Sequence, residues 1–368
     1  MRCRWLSELL LVVVVQAGVL IPLAVFRYVD GDEGVYAYAS RLAVHGYLPY
    51  RDFFYEQTPL LPYVYGPVGA LTGESWYALR GLSVAFAVAA GLLLHRLVRS
   101  RHSGPAAFAA VVVYAGSGLV FGYLTIVKTF ALSTLLLVAA FSLAEGGCWL
   151  AAGALLGLAI DTRLLLVAVV PVFALAALRA RRLRSLTAGI SPALVPSLVL
   201  LVLRPRAFLF DTVRYHSLKS PNGLVGDMHE KAQTAATLLG LEPTDRAFGI
   251  QFGVLVLAAA LGLLWSIWRR QFPLALAVAV ALGIVSFLPT PSYAQYFSLL
   301  VPFLIVGALE LRPRLPILAL FLTAYIVPGV WAVRHLVSYE PVLRPSLTSI
   351  REVSSRIDAT SHPGERIL

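Results

Sequence analysis

Residues 5–36 read WLSELLLVVVVQAGVLIPLAVFRYVDGDEGVY, an apolar run followed closely by two adjacent carboxylates, Asp32 and Glu33. The run 5–26 has the length that an α-helix needs to cross a bilayer. Its start resembles a secretory signal, but no small-x-small cleavage site precedes 26–28, so we expect a retained helix. Two acids placed directly after a membrane helix indicate chemistry at a bilayer surface.

The composition of the whole chain is that of a polytopic membrane protein. Hydrophobic residues make up 59% of the 368 residues, charged residues 13%, and the mean hydropathy is +0.79. Soluble domains contain about 45 to 50% apolar and about 25% charged residues. An all-α fold with about eleven transmembrane helices is therefore predicted. The predicted spans are 5–26, 77–97, 105–125, 129–144, 148–162, 164–178, 186–203, 249–268, 273–289, 294–310 and 316–334.

The distribution of arginine predicts which side of the membrane each loop occupies. Basic residues cluster at every second loop, and the positive-inside rule assigns that side to the cytoplasm. Three long connections, 27–76, 204–248 and the tail from 335, fall on the opposite side and hold most of the acidic residues. We therefore expect one transmembrane domain, 1–334, and a short external tail, 335–368, which stops as if a further domain were beginning.

The formal charge of +11 does not predict nucleic-acid binding. The basic residues on the cytoplasmic side are spread over short loops, with no extramembrane domain to form a groove, so anionic lipid headgroups are the simpler partner. Cys3 and Cys148 lie on different spans near the cytoplasmic side, so we expect no structural disulfide, and no Cys/His metal spacing is present.

The first long connection contains a polar and aromatic stretch, residues 45–59 (HGYLPYRDFFYEQTP), which a simple connector would not need. On either side of it, 34–44 and 59–71 carry apolar residues at near-helical spacing. This pattern predicts two short helices in the membrane interface, with a turn at 49–52 between them. We interpret the loop as an active site.

These motifs resemble the first external loop of the GT-C glycosyltransferases, in the branch of the protein O-mannosyltransferases and lipid A aminoarabinose transferases. In that family the loop reads D-E-x-x-Y and continues to an E-x-P or P-P-L element. Asp32-Glu33 with Tyr36, and 56–60 (EQTPL), match this pattern. Residues 293–302 (YAQYFSLLVP) resemble the family's tyrosine-containing, proline-interrupted helix near the donor phosphate, where Tyr296 lies.

The resemblance implies sugar transfer from a polyprenyl-phosphate donor to a hydroxyl of a protein, lipid or polysaccharide. It places the reaction at the periplasmic or exterior face of the inner or plasma membrane. Inverting transfer needs a carboxylate that accepts the proton of the acceptor, and a group that stabilises the departing phosphate. The match to the family makes Asp32 the general base, and Glu33 a residue that orients the acceptor or Asp32.

Each acidic residue of the loop also has a structural interpretation. Asp32 is placed to cap the helix that begins near 34, with Glu33 favourably placed in its first turn, and such a cap is compatible with catalysis. Asp52 and Glu56 either bind substrate or form salt bridges, for instance to Arg51 or Arg80. Three tyrosines either line a sugar subsite or anchor the loop in the interface: Tyr36, Tyr50 and Tyr55.

The cation for the donor phosphate is not where the family pattern would place it. Aminoarabinose transferases carry a lysine after the Glu of the E-x-P element, whereas this chain has Gln57-Thr58. Many relatives place an acid at the outer start of the fourth span, whereas this chain has Lys128, which removes a possible metal ligand and could supply the cation. The external candidates are Lys128, Arg163, Arg204, Arg206, Arg214, His216 and Lys219.

Two further ionisable residues, Asp161 and Arg163, fall near the end of a predicted span. Ionisable groups at membrane depth are costly and are functional candidates by default, although mutual pairing or snorkelling also explains them. No metal or other cofactor is demanded, because Asp32 and Glu33 alone give too few ligands for a divalent cation. We expect a metal-independent mechanism, with a divalent metal as the alternative.

Two other functions fit a membrane protein of this composition. A transporter or flippase of lipid-linked sugars would carry ionisable residues or broken helices near the midplane. A catalytically inactive GT-C protein would bind lipid or a partner protein. The polar clusters of this chain lie in loops beside span ends, and both acids of the family motif are present, which favours the enzyme.

Overall fold

The computed structural model describes residues 2–219, 223–242, 246–271, 273–340 and 344–360. Within these ranges the chain forms helices joined by short connections, without a β-strand. Two features of the sequence analysis lie at least partly outside them: the Cys3 side chain and the end of the tail at 361–368.

The α-helices of the first half are α1 (Arg2–Phe26), α2 (Glu33–Val44), α3 (Leu60–Leu71), α4 (Trp76–Arg99), α5 (Gly104–Ala115), α6 (Gly118–Tyr123), α7 (Thr129–Glu145), α8 (Trp149–Thr162), α9 (Val170–Arg179) and α10 (Leu183–Ala193). Those of the second half are α11 (Val195–Leu203), α12 (Pro205–Leu209), α13 (Tyr215–Leu218), α14 (Gly223–Leu238), α15 (Arg246–Trp268), α16 (Leu274–Ser286), α17 (Val301–Leu309), α18 (Leu315–Leu336) and α19 (Leu347–Thr360). Two 3₁₀-helices, Leu164–Val169 and Ala294–Leu300, precede α9 and α17, and a π-helix, Phe210–Arg214, follows α12.

Each predicted span coincides with a helix or with a broken helix. Among the residues that the structure describes, four helices are long and apolar enough to cross a membrane alone: Leu6–Phe26, Trp76–Arg99, Arg246–Trp268 and Leu315–Arg334. The pair α10 and α11, bent by 51°, qualifies together as a broken span. The other predicted spans correspond to shorter apolar helices, so the all-α polytopic class is confirmed and the number of crossings stays a prediction.

The helices pack around one large apolar core. Its buried side chains come mainly from α4, α5, α7, α8 and α15 to α17. On the outside of the bundle, large apolar side chains of α1, α15 and α18 are exposed, for example Leu10, Leu257 and Leu320. Lipid solvates such side chains as well as a protein core does, so in a bilayer they form the outer face of the bundle.

Helices α8 and α10 are in direct backbone contact through glycine. A Cβ atom on Gly153 would lie 2.1 Å from the carbonyl oxygen of Leu186, and one on Gly189 would lie 2.1 Å from that of Leu150. The hydrophobic effect does not drive helices together in lipid, so close van der Waals packing of this kind stabilises the helix pair. These glycines therefore fix the position of α8, whose C-terminal end leads to Arg163.

The first loop, residues 27–76, folds into a small second core. The two predicted short helices are present as α2 and α3, and Gly66 lets them approach closely beside the carbonyl of Ser40. Tyr50, in the left-handed region at φ 63°, forms the turn between them. The buried side chains of this core are Tyr36, Ala39, Tyr50, Tyr55, Leu61, Tyr65, Leu79, Val127, Leu200 and Phe208.

A buried ion pair joins this loop to the helical bundle. Glu33, the first residue of α2, and Arg80 on α4 are both almost completely buried. Two parallel hydrogen bonds connect them, Arg80 Nη2 to Glu33 Oε2 at 2.6 Å and Arg80 Nε to Glu33 Oε1 at 3.0 Å. This bidentate geometry is the strong form of an arginine–carboxylate contact.

The remaining donors and acceptors of the pair bind backbone groups. Arg80 donates to the carbonyl oxygens of Ala24, Arg27 and Tyr28, where the end of α1 leaves acceptors without helical partners. Glu33 Oε1 accepts from the Val127 amide, and its Oε2 accepts from the Asp30 amide. One ion pair thus ties together the end of α1, the starts of α2 and α4, and the segment before α7.

The glycine contact predicts opposite effects for one substitution at two helical sites. Gly153→Ala places a methyl group against the backbone of α10, and overpacking of this kind costs about 1 to 3 kcal/mol. Gly81→Ala in α4 adds a Cβ that meets nothing within 4 Å, and should be neutral or stabilise the helix by about 0.5 to 1 kcal/mol. Denaturant unfolding of the purified variants in detergent measures both. Equal effects would contradict the backbone contact.

The buried ion pair predicts a large cost for Arg80→Met. The substitution leaves Glu33 buried without a counter-ion, which costs about 3 to 5 kcal/mol. The matched control is Arg41→Met, because Arg41 pairs with Glu74 at 2.8 Å on the surface, where such pairs contribute about 0 to 1 kcal/mol. The comparison is made by thermal unfolding, and a variant at 80 as stable as the variant at 41 would refute the pinning role.

Candidate active site

A cavity of about 1250 Å³, lined by both charged and apolar side chains, opens beyond the ends of α1 and α8 and beside the starts of α2 and α7. Side chains from the first loop, the start of α7, the segment after α8 and α14 line its walls. One flank is apolar, and its exposed residues include Val167, Val213 and Leu288. The cavity can therefore hold a ligand with a charged head and an apolar chain.

Three charged side chains meet at one wall of the cavity. Lys128 Nζ lies 2.6 Å from Asp30 Oδ1 and 2.9 Å from Asp32 Oδ2, and it also donates to Gln295 Oε1 at 2.9 Å. The Lys128 side chain is only 3% exposed, whereas that of Asp32 is 52% exposed. The buried Lys128 thus holds Asp32 in place, and the Asp32 side chain faces the cavity.

Asp30 is a site residue that the sequence analysis missed. Its Oδ1 atom accepts from the Asp32 amide, and its Oδ2 lies 3.7 Å from the buried guanidinium of Arg27. Burial favours the neutral acid, but the charges of Lys128 and Arg27 outweigh it and lower the pKa of Asp30. The available signal was the D-x-D spacing of Asp30-Gly31-Asp32.

The two acids predicted as catalytic point in different directions. Asp32 is the N-cap residue of α2, yet its side chain makes no capping hydrogen bond; its Oδ2 binds Lys128, and its Oδ1 accepts no hydrogen bond from the residues that the structure describes. Glu33 is absent from the cavity wall, because Arg80 and two backbone amides use its carboxylate. Its geometry is that of a structural anchor that orients Asp32.

Glu56 lies on the cavity wall and contacts three other candidate site residues, Lys219, Tyr36 and His216. Lys219 Nζ binds Glu56 Oε2 at 2.9 Å, and Tyr36 donates to its Oε1 at 3.3 Å. A ring nitrogen of His216 lies 3.0 Å from the backbone carbonyl oxygen of Glu56. Glu56 pairs with Lys219 and not with Arg51 or Arg80, and this pair links the first loop to the chain beyond α12.

Arg163 reaches the cavity from the end of α8 and is 4% exposed. Its guanidinium lies between the rings of Phe130 and Tyr296, 4.8 and 4.7 Å from their centroids, and donates to Thr129 Oγ1 at 3.2 Å. No carboxylate pairs with it in the part of the chain that the structure describes. A buried arginine in that setting is suited to bind an anion.

Besides Glu33 and Asp161, six of the predicted site residues do not line the cavity. Tyr50 and Tyr55 are buried in the core of the first loop. Contact between their rings stabilises this core and so holds the shape of the loop. Asp52 is exposed and pairs with Arg51 at 2.8 Å. The other three are exposed basic side chains: Arg204, Arg206 and Arg214.

Asp161 is buried in the bundle and does not pair with Arg163, contrary to the predicted alternative of mutual pairing. Its Oδ1 accepts a hydrogen bond from Ser197 at the bend between α10 and α11, and its Oδ2 has no partner among the described atoms. Because neither Asp161 nor Ser197 lies on the cavity wall, Asp161 is a feature of the bundle interior.

The sequence analysis also overlooked α14, which contributes part of the cavity wall. Asp227, Glu230 and Gln233 lie on the cavity, and two hydrogen bonds hold the helix in place: Lys231 to Thr290 at 2.9 Å and Thr234 to the Ser292 carbonyl at 2.7 Å. From the sequence alone, these residues are placed only within the external connection 204–248, because their position beside the cavity is a result of the tertiary fold.

The residues of the cavity do not form a conventional metal centre. Across the described ranges no group of three or more His, Cys, Asp or Glu side chains is placed to hold a metal ion. The nearest approach is the pair Asp30 and Asp32, and both bind Lys128.

Comparison with known proteins identifies the architecture. Residues 56–207 match the profile of the dolichyl-phosphate-mannose-protein mannosyltransferase family. This segment contains Glu56, Lys128 and Arg163, but it begins after Asp32. No curated protein sequence is similar enough to count as a match.

Solved structures share the fold at low sequence identity. ArnT from Cupriavidus metallidurans is 15% identical in its apo state, with a TM-score of 0.64 over 99% of this chain and 66% of ArnT. ArnT from the same organism bound to undecaprenyl phosphate is 16% identical, with a TM-score of 0.55 over 96% of this chain and 66% of ArnT. The Archaeoglobus fulgidus oligosaccharyltransferase in complex with Zn and sulfate is 16% identical, with a TM-score of 0.57 over 96% of this chain and 56% of the oligosaccharyltransferase.

The chain therefore spans just under two thirds of ArnT and just over half of the oligosaccharyltransferase. The apolar helices and this shared architecture identify an integral membrane protein. The chain has the fold of the GT-C superfamily, of the kind represented by the protein mannosyltransferases and ArnT, which confirms the resemblance predicted from its first loop.

Proposed function

We propose that this protein is a glycosyltransferase that moves a sugar from a polyprenyl-phosphate carrier to a hydroxyl acceptor. The observation that carries the proposal is the content of one cavity. It combines the half-exposed carboxylate of Asp32, the buried guanidinium of Arg163 and an apolar flank that can hold a lipid chain. The match of residues 56–207 to the dolichyl-phosphate-mannose-protein mannosyltransferase profile supports the same chemistry.

The donor phosphate binds at Arg163. Since this guanidinium is buried and binds only Thr129 Oγ1 and two aromatic faces among the described residues, a bound anion would satisfy its remaining donors. Arginine can contact a phosphate through two parallel hydrogen bonds. Tyr296 and Lys128 flank the same position, whereas Arg204, Arg206 and Arg214 are too far out to line it.

The polyprenyl chain lies along the apolar flank. Val167, Val213 and Leu288 line the cavity and are each more than half exposed, so in a bilayer they contact lipid. ArnT, which shares the fold, has been crystallised with undecaprenyl phosphate. A carrier of that chemical class would place its phosphate toward Arg163 while its tail stays in the membrane.

Asp32 acts as the general base. Lys128 holds one carboxylate oxygen, and the other accepts no hydrogen bond from the described residues, so it is available to the acceptor hydroxyl. In the proposed step this oxygen takes the hydroxyl proton while the hydroxyl oxygen bonds to the anomeric carbon. The bond from that carbon to the phosphate oxygen breaks, and its electron pair leaves with the polyprenyl phosphate.

The cavity faces the outside of the inner or plasma membrane in this proposal. Helix α4 begins beside the cavity and ends at Arg96 and Arg99, so its basic end lies at the opposite end of the bundle. The positive-inside rule places that end in the cytoplasm. Residues 1–334 would form the transferase domain, with 335–368 as an external tail. A protein, lipid or polysaccharide would reach Asp32 through the cavity.

One observation favours a transporter as a second candidate. Asp161 is a buried carboxylate beside the bend between α10 and α11, and broken helices with ionisable residues are typical of transporters. The cavity that holds Asp32 and Arg163 lies at helix ends, however, so we favour the enzyme.

The proposed base predicts a loss of turnover in Asp32→Asn. Transfer of radiolabelled sugar from a panel of polyprenyl-phosphate donors should fall by about 100-fold or more, the scale of a lost general base. Asp52→Asn is the matched control, because Asp52 lies in the same loop outside the cavity, and it should keep near wild-type transfer. Wild-type transfer by the Asp32 variant would remove Asp32 as base, and transport without transfer would favour the second candidate.

The proposed phosphate site predicts weaker donor binding in Arg163→Gln. Loss of a charged hydrogen bond costs about 1.5 to 3 kcal/mol, so KM for the donor should rise by about 10- to 100-fold while KM for the acceptor stays unchanged. Arg206→Gln removes an exposed arginine outside the cavity and should leave both values unchanged. Equal effects of the two substitutions on donor KM would contradict the assignment.

A further inference from the structure

We infer that the ammonium group of Lys128 occupies the place between Asp30 and Asp32 where a divalent cation would otherwise bind. The Asp30-Gly31-Asp32 segment therefore works without a metal ion. The consequence for sugar transfer rests on the proposed function, whereas the consequence for metal binding does not.

The contacts of Lys128 are complete. An ammonium group has three donors, and the three acceptors around this one are Asp30 Oδ1 at 2.6 Å, Asp32 Oδ2 at 2.9 Å and Gln295 Oε1 at 2.9 Å. The lysine stem is buried against the cavity wall, since the side chain is only 3% exposed. The cation is thus held in place from two distant parts of the chain, the 30–32 segment and Gln295.

The charges leave no requirement for a further cation. Asp30 and Asp32 carry two negative charges, and Lys128 and Arg27 bring two positive charges to the same cluster. A divalent ion bridging the two aspartates would have to displace Lys128 or lie beside it. In the second case like charges would repel at close range, where partial burial weakens screening by solvent.

The coordination sphere is also too small for a hard cation. Mg²⁺ prefers six oxygen ligands in octahedral geometry, and the neighbouring acid, Glu33, is turned away and bound to Arg80. The described residues supply no third acid, histidine or cysteine that would complete such a group with Asp30 and Asp32. The residues of this site fit an ammonium ion and do not fit a divalent metal.

A lysine cation differs from a metal in what it can do for Asp32. It holds the Oδ2 atom by a hydrogen bond and leaves Oδ1 open, whereas a bridging divalent ion would draw charge from both carboxylates and make Asp32 a weaker base. Lys128 also lines the cavity, so its charge stays close to a phosphate bound at Arg163. Asp30 is then a positioning residue that holds Lys128.

The experiment compares Mn²⁺ binding by four purified proteins after EDTA treatment. They are the wild type, Asp30→Asn, Lys128→Glu, and the double variant Asp30→Asn with Lys128→Glu. Electron paramagnetic resonance measures free Mn²⁺ during titration, and thermal unfolding gives the shift in Tm that ligand binding to the folded state produces. Neither measurement requires a sugar donor.

The wild type should bind no Mn²⁺ at the site and show no Mn²⁺-dependent rise in Tm. Lys128→Glu replaces the ammonium with a third carboxylate between the two aspartates, and it should gain stoichiometric Mn²⁺ binding and a rise in Tm of several degrees. The double variant should lose most of that gain. Wild-type sugar transfer, once a donor is identified, should persist in EDTA.

Stoichiometric Mn²⁺ binding by the wild type that Asp30→Asn abolishes would overturn the inference. A folded Lys128→Glu protein without gained Mn²⁺ binding would overturn it as well. If Lys128→Glu does not fold, the comparison of wild type with Asp30→Asn decides the question alone. A failure of all donors in the transfer assay would count against the proposed function and leave the metal result intact.

Discussion

The buried ion pair between Glu33 and Arg80 is the constraint on which the cavity depends. It closes the carbonyl end of α1, fixes the first residue of α2 and binds the Val127 amide. Because Glu33 binds Val127, their neighbours Asp32 and Lys128 come together on the other side of the same contact. The structural contact between Glu33 and Val127 and the cavity-wall contact between Asp32 and Lys128 are therefore made by residues that are neighbours in the sequence.

Charge balance explains why the site has room for an anion. Around the start of α2, the three acids Asp30, Asp32 and Glu33 face three cations: Arg27, Lys128 and Arg80. The cluster is thus internally neutral. Arg163 lies apart from it, between two aromatic rings. The cavity wall consequently offers a positive charge that no acid of the described chain neutralises, at the place where a phosphate is proposed to bind.

The aromatic residues of the first loop serve this arrangement indirectly. Tyr55 is fully buried, and its amide donates to Asp211 beyond α12, while Thr58 donates to the Ile160 carbonyl at the end of α8. These contacts hold the loop against distant parts of the chain. They also keep Glu56 within reach of Lys219, so the second core fixes the cavity wall without lining much of it.

The sequence by itself determined the all-α membrane class and the positions of the helices, because a backbone in lipid must satisfy its own hydrogen bonds and apolar runs mark where it does so. It also placed the family motif at Asp32 and Glu33. Only the tertiary structure separated these two acids, because Arg80 and the Val127 amide bind Glu33 whereas Lys128 binds Asp32. Asp30 between two cations, Lys128 between two aspartates and Arg163 without an acid are contacts over long sequence distances. No local pattern encodes them, because they exist only once helices far apart in the chain have packed together.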